Sequence, residues 1–267
     1  MKYYVLKVPY EEKEQVKSKG AKWDAAIKSW ICSEDQLDTF TKWSPYKLTS
    51  SSEPYTNPFS EKPAYPKEDL INDNFVILDT ETTGLSNNDE VVELSILDNM
   101  GNEIYHSLFN PETPISYSAA NVSHISMAEV SWAPKFGDEW EKIKEIIGDR
   151  YIIAHNITFD KRLMTQTAIR YGATKVECDK LFNNCVDSMD IFQKYAGKMK
   201  LQVACDKLGL NINQTHRASD DCVMILYVFD ALGNTPVKDR EDLFINGYHP
   251  PKKEFNIESF RHTYHKS

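Results

Sequence analysis

No apolar run in this 267-residue sequence approaches the roughly 18 residues of a membrane span. Its start, MKYYVLKVPYEEK, lacks the apolar stretch of a secretory signal. Both absences lead to the expectation of a cytoplasmic protein without a membrane partner. Cysteine is sparse: Cys32, Cys178, Cys185, Cys205 and Cys222 are odd in number, scattered and without C-x-x-C spacing. That favours buried thiols over a disulfide framework or a zinc site. Positive charge is short as well. The 31 Lys and Arg stand against 40 Asp and Glu, a formal net charge of −9, which is wrong for a chain that holds phosphates with its own cations. An acidic chain that handles phosphodiesters must bring its positive charge another way, and bound divalent cations are the obvious source.

What is present is ordinary for a globular protein. Hydrophobic residues make up 41% and charged residues 27%, and the length suits one large domain or two unequal ones. Residues 1–43 read as a small α+β unit. Tyr3, Val5 and Lys7 alternate with Tyr4, Leu6 and Val8; a charged helix over Glu11–Lys19 stops at Gly20; Trp23-Asp24 and Trp30-Ile31-Cys32 suggest a turn and a second strand. Residues 44–69 are rich in Pro and Ser and read as an extended linker. The other reading is ordered coil packed on a neighbour, with Tyr46, Tyr55, Phe59 and Tyr65 as anchors.

Residues 70–233 read as α/β. Phe75–Leu78 is an apolar run suited to a buried strand, followed by strands at Val91–Leu97 and Ile104–Phe109. Helices are expected over Glu139–Ile147, Thr158–Tyr171, Leu201–Leu208 and Ser219–Leu232, with a strand at Tyr151–Ala154. Residues 234–267 read as a polar tail with Pro250-Pro251 and an aromatic-basic end, Phe260, Arg261, His262, Tyr264 and His265.

Three segments carry chemistry. In Val76–Leu85, strand alternation puts Asp79 and Glu81 on one face, about 7 Å apart at Cα. Neighbouring acids repel unless they share a proton or a cation, and a hard divalent ion suits oxygen ligands; a solvent-facing strand end would read the same. In Ile152–Asp160 a strand ends at His155-Asn156 and a helix starts near Thr158, with Asp160 in its first turn. In His216–Asp221 a histidine precedes a first-turn aspartate by five residues. Taken alone, each first-turn acid is equally a complement to the helix dipole.

Asp-x-Glu on a first strand, a strand-to-helix Asp and His-x-Ala-x-x-Asp, in this order, resemble the DEDDh family. These are the DnaQ-like 3′→5′ exonucleases, relatives of the proofreading subunit of bacterial replicative polymerase. The resemblance covers roughly residues 72–232. It includes Thr83-Gly84-Leu85, Val122-Ser123-His124-Ile125 before a helix, and Cys185-Val186-Asp187-Ser188; its flavour is that of exonuclease X-like proteins. It implies a ribonuclease H-like mixed sheet with flanking helices and two Mg²⁺ or Mn²⁺ ions on Asp79, Glu81, Asp160 and Asp221. It makes His216 the general base. Thr80, Thr82, Thr83, Gly84 and Leu85 would meet the terminal nucleotide, Leu85 against the base. His155 and Asn156 would orient the site or the strand, although structural roles fit them equally; Phe159 could stack on a base, but its helical position favours core packing. Asp220 reads as a helix-dipole acid. Lys161, Arg162, Lys194, Lys198 and Lys200 would follow a phosphate backbone or stay solvated.

The implied reaction is hydrolysis from the 3′ end of DNA, single-stranded or frayed, releasing nucleoside 5′-monophosphates. The alternatives are an exoribonuclease of the same family, since RNA is possible where a 2′-hydroxyl is read, and a silent nucleic-acid-binding scaffold. A polymerase or other replication or repair partner is a further expectation. The N-terminal pattern Val8–Lys13, Lys19–Asp24 and Lys28–Trp30 resembles a short module of unknown function found beside DNA-processing domains. Trp23 and Trp30 are either its core or a stacking platform for single strands.

Overall fold

The computed structural model describes residues 3–6, 8, 12–24, 29–43, 46–47, 55–70, 73–210 and 212–248. Pro9, Tyr10, Glu11 and Lys28 of the N-terminal pattern, and Pro250-Pro251 with the aromatic-basic end of the tail, lie outside them. Near the N-terminus, β1 (Tyr3–Leu6), α1 (Lys13–Ser18), β2 (Lys22–Asp24), β3 (Ser29–Ser33) and β4 (Tyr46–Lys47) form an antiparallel sheet of order β2-β3-β1-β4. Gly20 adopts φ +98° and stops α1 as its sequence position suggests. Leu6, Val16, Ala21, Cys32, Phe40 and Trp43 make the core. The two tryptophans part company: Trp30 packs half-buried against that core, while Trp23, its cross-strand partner, is 53% exposed.

The expected α/β fold follows. β5 (Phe75–Thr82), β6 (Val91–Asp98) and β7 (Glu103–Leu108) form an antiparallel meander. Helices α2 (Tyr117–Ser123), α3 (Met127–Val130) and α4 (Phe136–Ile147) lead to β8 (Tyr151–Ala154). Then come α5 (Ile157–Arg170), α6 (Lys175–Leu181), β9 (Cys185–Asp187), α7 (Ser188–Ala196), α8 (Leu201–Lys207), α9 (Ala218–Gly233) and α10 (Arg240–Asn246). β8 runs parallel to β5 and β9 parallel to β8, giving a mixed sheet of order β7-β6-β5-β8-β9. A capping box of Thr174 and Glu177 starts α6.

Alternation along β5 sorts its residues between two cores. Val76 and Leu78 join Trp140, Ile143, Leu163 and Met164 of α4 and α5 on one face. Phe75 and Ile77 join α7–α10 on the other. The period of two therefore aims Asp79 and Glu81 at the face crossed by α9, and Thr80 at the face covered by α5. α9 is buried along nearly its whole length, as an apolar helix must be when it lies beneath other helices.

Three boundaries differ from the sequence reading. The N-terminal unit runs past residue 43, since β4 pairs with β1. Of the two readings of residues 44–69, the described residues 55–69 take the second, ordered coil on this second unit. Tyr55 donates from Oη to the Gly101 carbonyl at 2.6 Å, Phe59 lies 4.8 Å from the Tyr227 ring, and Tyr65 meets Phe75 edge-on at 4.9 Å. The Ala64 N–H donates to Asp230 at 2.7 Å. Asp69 accepts from Lys194 and Tyr195, both at 2.6 Å, and from Arg240 at 3.2 Å. The coil comes so near the end of α9 that a Cβ on Gly233 would lie 2.4 Å from the Tyr65 nitrogen. Nor does a tail begin at Asn234: α10 packs Leu243 and Phe244 into the core, and the Tyr248 N–H donates to the Leu208 carbonyl.

Candidate active site

At the carboxyl ends of β5 and β8 the chain leaves an open pocket of about 270 Å³. Asp79, Thr80, Glu81, Thr82, Gly84 and Leu85 line it from β5 and the turn beyond. Phe159 and Asp160 come from α5, His155 from the end of β8, Asp221 from α9, and Ser118, Ala119 and Val122 from α2. A larger hollow of about 430 Å³, lined by Lys144, Arg150, Glu177 and Lys180 among others, lies by the start of β8 and holds no acid cluster of this kind. The four sequence-predicted acids thus share one pocket, with Asp160 and Asp221 buried and Asp79 and Glu81 half-buried. His216 joins them: one ring nitrogen and one oxygen each of Glu81 and Asp221 lie within 4.8 Å of one another.

Four carboxylates this close disturb each other. Burial, then the charges of Asp221, Asp160 and Glu81, holds the Asp79 carboxyl well above the usual range. Burial and the charges of Asp221, Glu93 and Asp160 push Glu81 up to about 9. Burial raises Asp160 against a hydrogen bond from Thr80, and raises Asp221 against one from Gln214. Asp221 Oδ1 is buried with no hydrogen-bond partner. A crowded set of raised carboxyls without a counter-charge, one of its buried oxygens left without a hydrogen bond, is a donor set that fits hard cations.

Burial lowers the pKa of His216, helped by His124 and Lys200, so its imidazole is neutral and basic near pH 7. Its backbone is left-handed at φ 55°, as are His124 at 57° and Asn156 at 66°, the three non-glycine residues of that kind among those described. Three such positions in or beside one pocket are what a strained functional site shows.

Several residues named as substrate contacts are otherwise committed. Thr80 donates to Asp160 at 2.7 Å, Thr82 to the Gly84 carbonyl at 2.8 Å, and Thr83 to Asp89 at 2.7 Å. Their hydroxyls hold the scaffold. A Cβ on Gly84 would meet the Asp89 carboxylate at 2.7 Å, which explains glycine there. Arg162 donates to the carbonyls of Leu85 and Ser86, and Gln166 to those of Ser86 and Asp89, stapling the turn to α5. Leu85 remains 76% exposed on the rim. His155 donates from Nε2 to the Met199 carbonyl and accepts from Ser188 at Nδ1, so both ring nitrogens are used within the fold. Asn156 is exposed, its N–H bound to Asp187. Asp220 is buried and accepts from Thr215. Of the basic residues proposed to follow a phosphate backbone, Lys161 donates to the Phe182 carbonyl, Arg162 holds the Leu85 turn and Lys194 is paired with Asp69.

Residues 76–229 match the family model described as Exonuclease, and residues 4–45 match that of a domain of unknown function (DUF5710). Among curated proteins, the chain is 30% identical to the PolC-type DNA polymerase III of Bacillus cereus over 186 residues, 67% of this chain and 12% of the polymerase. It is 30% identical over 173 residues to an uncharacterized exonuclease of Escherichia phage 186, covering 61% of this chain and 89% of the phage protein. Among solved structures, E. coli exonuclease I in complex with a dA16 oligonucleotide superposes with a TM-score of 0.52 at 15% identity, over 64% of this chain and 42% of that one. A 3′-exonuclease in a structure of histone mRNA stem-loop recognition gives 0.51 at 15% identity, over 65% of each chain. The chain therefore spans about an eighth of the polymerase and under half of exonuclease I.

Proposed function

The chain belongs to the exonuclease family, and on that premise we propose that it is a metal-dependent 3′→5′ exonuclease acting on DNA. The observation that supports this most is that Asp79, Glu81, Asp160 and Asp221 line one open pocket, with a His216 ring nitrogen within 4.8 Å of Glu81 and Asp221 oxygens. In this reading Asp79, Glu81, Asp160 and Asp221 hold two Mg²⁺ or Mn²⁺ ions. Bound there, the ions supply Lewis acidity and offset the charge of the scissile phosphate, which lets an acidic chain hold a nucleic acid.

The protein's own groups do the rest. Thr80 fixes Asp160, and Gln214 fixes Asp221, so two of the carboxylates are oriented before any ligand arrives. A neutral ring nitrogen of His216 takes the proton of the attacking water. Leu85 on the stapled turn and Phe159 on α5 flank the pocket and pack on the terminal base, with the backbone of Thr83-Gly84 near the 3′-hydroxyl. Val122 of α2, 47% exposed, completes the apolar rim. We assign the N-terminal unit, whose sheet reaches past residue 43 to Lys47, to a separate nucleic-acid or partner-binding module, and replication or repair as the setting.

The test challenges the full-length protein with 3′- and 5′-labelled single- and double-stranded DNA and RNA, in Mg²⁺, Mn²⁺ or EDTA. Nucleoside 5′-monophosphates released first from a free 3′-hydroxyl of DNA, only with metal, are expected. Preferred shortening of RNA would move the substrate to the exoribonuclease reading. Label released first from the 5′ end, or equal turnover in Asp221→Ala, sinks the proposal.

A further inference from the structure

One buried acid beside the pocket is unlike the other four. Glu93 lies in the middle of β6, directly across from Glu81, with 1% of its surface exposed. Its oxygens are saturated. Arg217 donates from Nε at 3.1 Å to both of them and from Nη2 at 2.6 Å to Oε1; the Ala218 N–H donates at 3.1 Å to Oε2; His106 Nε2 lies 2.9 Å from Oε1. Burial works against its charge, but the bonds from His106 and Arg217 outweigh burial and hold its carboxyl at about 2. Glu93 is therefore a fixed anion with no lone pair to spare for a cation, whereas the four pocket acids are raised and under-satisfied.

What Glu93 grips is the residue after His216 and the first N–H of α9. The cap residue of α9 is Arg217, whose own side chain makes no capping bond. Glu93 caps the helix from a neighbouring strand instead, placing negative charge at its N-terminus. Arg217 is held a second time, with Nη1 3.9 Å from Glu129 of α3. On the other side of His216, Gln214 reaches Asp221 and Thr215 reaches Asp220. His216 thus sits in a short loop pinned on both flanks, in a left-handed backbone that an ordinary residue leaves unless its surroundings over-determine it.

We infer that Glu93 is a positioning residue for the hydrolysis proposed above: by clamping Arg217 and the first N–H of α9 it sets His216 against Glu81 and Asp221. The inference rests on the exonuclease reading for its catalytic meaning. Without the anion, Arg217 loses its bidentate partner and the loop that carries His216 loses its anchor. His216 then relaxes out of φ 55°. Glutamine cannot substitute, because it offers Arg217 an N–H group where an oxygen is needed.

The test uses the full-length protein with saturating Mn²⁺ and a short oligodeoxynucleotide bearing a 3′-hydroxyl. Glu93→Gln is measured alone and in the His216→Ala background. A displaced base costs on the order of 100-fold in kcat, and KM should change by less than roughly threefold because ground-state contacts are untouched. With His216 already gone, the same substitution should cost less than about threefold more, the non-additivity of residues that act as one unit. A readout independent of turnover is the ring resonance of His216 in metal-free, histidine-labelled protein, expected to move toward the shift of a free imidazole in Glu93→Gln. Arg217→Lys keeps the charge but cannot grip both oxygens; it should lose kcat in the same way, and it carries the comparison if Glu93→Gln does not fold. Equal losses in both backgrounds would show that Glu93 merely supports the fold, and an unmoved His216 resonance would overturn the inference outright. Absence of any metal-dependent hydrolysis in the unmodified protein would instead sink the exonuclease reading, leaving the resonance to judge the positioning.

Discussion

Replacing Gly233 with Ala sets two effects of opposite sign against each other. Gly233 ends α9, and in an open helix Ala would be favoured by about 1 kcal/mol. Here the new methyl would lie 2.4 Å from the Tyr65 nitrogen, 2.6 Å from the Ala64 carbonyl carbon and 2.7 Å from that of Tyr65. These are backbone atoms, and they cannot swing aside as a side chain can. The coil is pinned by the Ala64 N–H on Asp230 and by Tyr65 against Phe75. Overpacking costs about 1–3 kcal/mol, and with a pinned backbone the upper end applies. Escape by lifting the coil is no cheaper, since it exposes Tyr65 and Leu70, two buried side chains each contributing about 1.5–3 kcal/mol if judged like other large apolar groups. The net expectation is a loss of about 2 kcal/mol, or roughly 4–8 °C in Tm for a unit of this size. Calorimetry or dye-based melting of metal-free Gly233→Ala beside the unmodified chain measures it. An unchanged or higher Tm is what helix propensity alone would give, and it would mean that residues 55–70 are not part of the catalytic unit.

The same packing predicts that deleting residues 1–54 leaves kcat on a short oligonucleotide and the main melting transition in place, whereas deleting residues 1–70 lowers the transition or leaves the protein insoluble; equal behaviour of the two truncations refutes it. Asp79→Asn removes one of four crowded charges, so metal-free Tm should hold or rise by a few degrees while hydrolysis falls below detection; a large loss of Tm would make Asp79 structural. The raised native pKa of Glu81, about 9 against roughly 4.3 unfolded, also fixes a sign. Between those values the native state binds more protons than the unfolded chain, so metal-free stability falls as pH rises. Melting at pH 7, 8 and 9 should show a falling Tm that Mg²⁺ or Mn²⁺ flattens, and a Tm that rises across that range without metal contradicts it.

Much of the fold was legible because its elements follow simple periods. Asp79 and Glu81 stand out as two acids two residues apart on an otherwise apolar strand. Asp160 and Asp221 stand out as first-turn acids after a strand and a loop, and only the order of the three segments joins them. Glu93 was not legible. A glutamate inside Val91–Asp98 signals that something must pair with it, since an acid in a fully buried strand is rarely left alone. Its partner Arg217 lies 124 positions away, where no local rule reaches. Residues 55–69 stayed open between linker and packed coil for a different reason. Proline and serine there suggest a chain with no core of its own, which is correct, but they do not show that its aromatics borrow a neighbour's. Thr80, Thr82 and Thr83, at the end of β5 and the turn beyond, were offered to the substrate by the family resemblance; their hydroxyls bond Asp160, the Gly84 carbonyl and Asp89.

The seating of Tyr55 on the Gly101 carbonyl also sets the length of a leash. Read from composition alone, residues 44–67 would let the N-terminal unit roam some 70 Å at about 3.1 Å per residue. With the chain anchored again from Tyr55 onward, eight peptide steps separate Lys47 of β4 from the catalytic unit. Covalent geometry alone then caps the separation of those two points at roughly 30 Å. At that range a tethered partner counts as millimolar, and whatever the small unit holds stays at high local concentration around the catalytic unit.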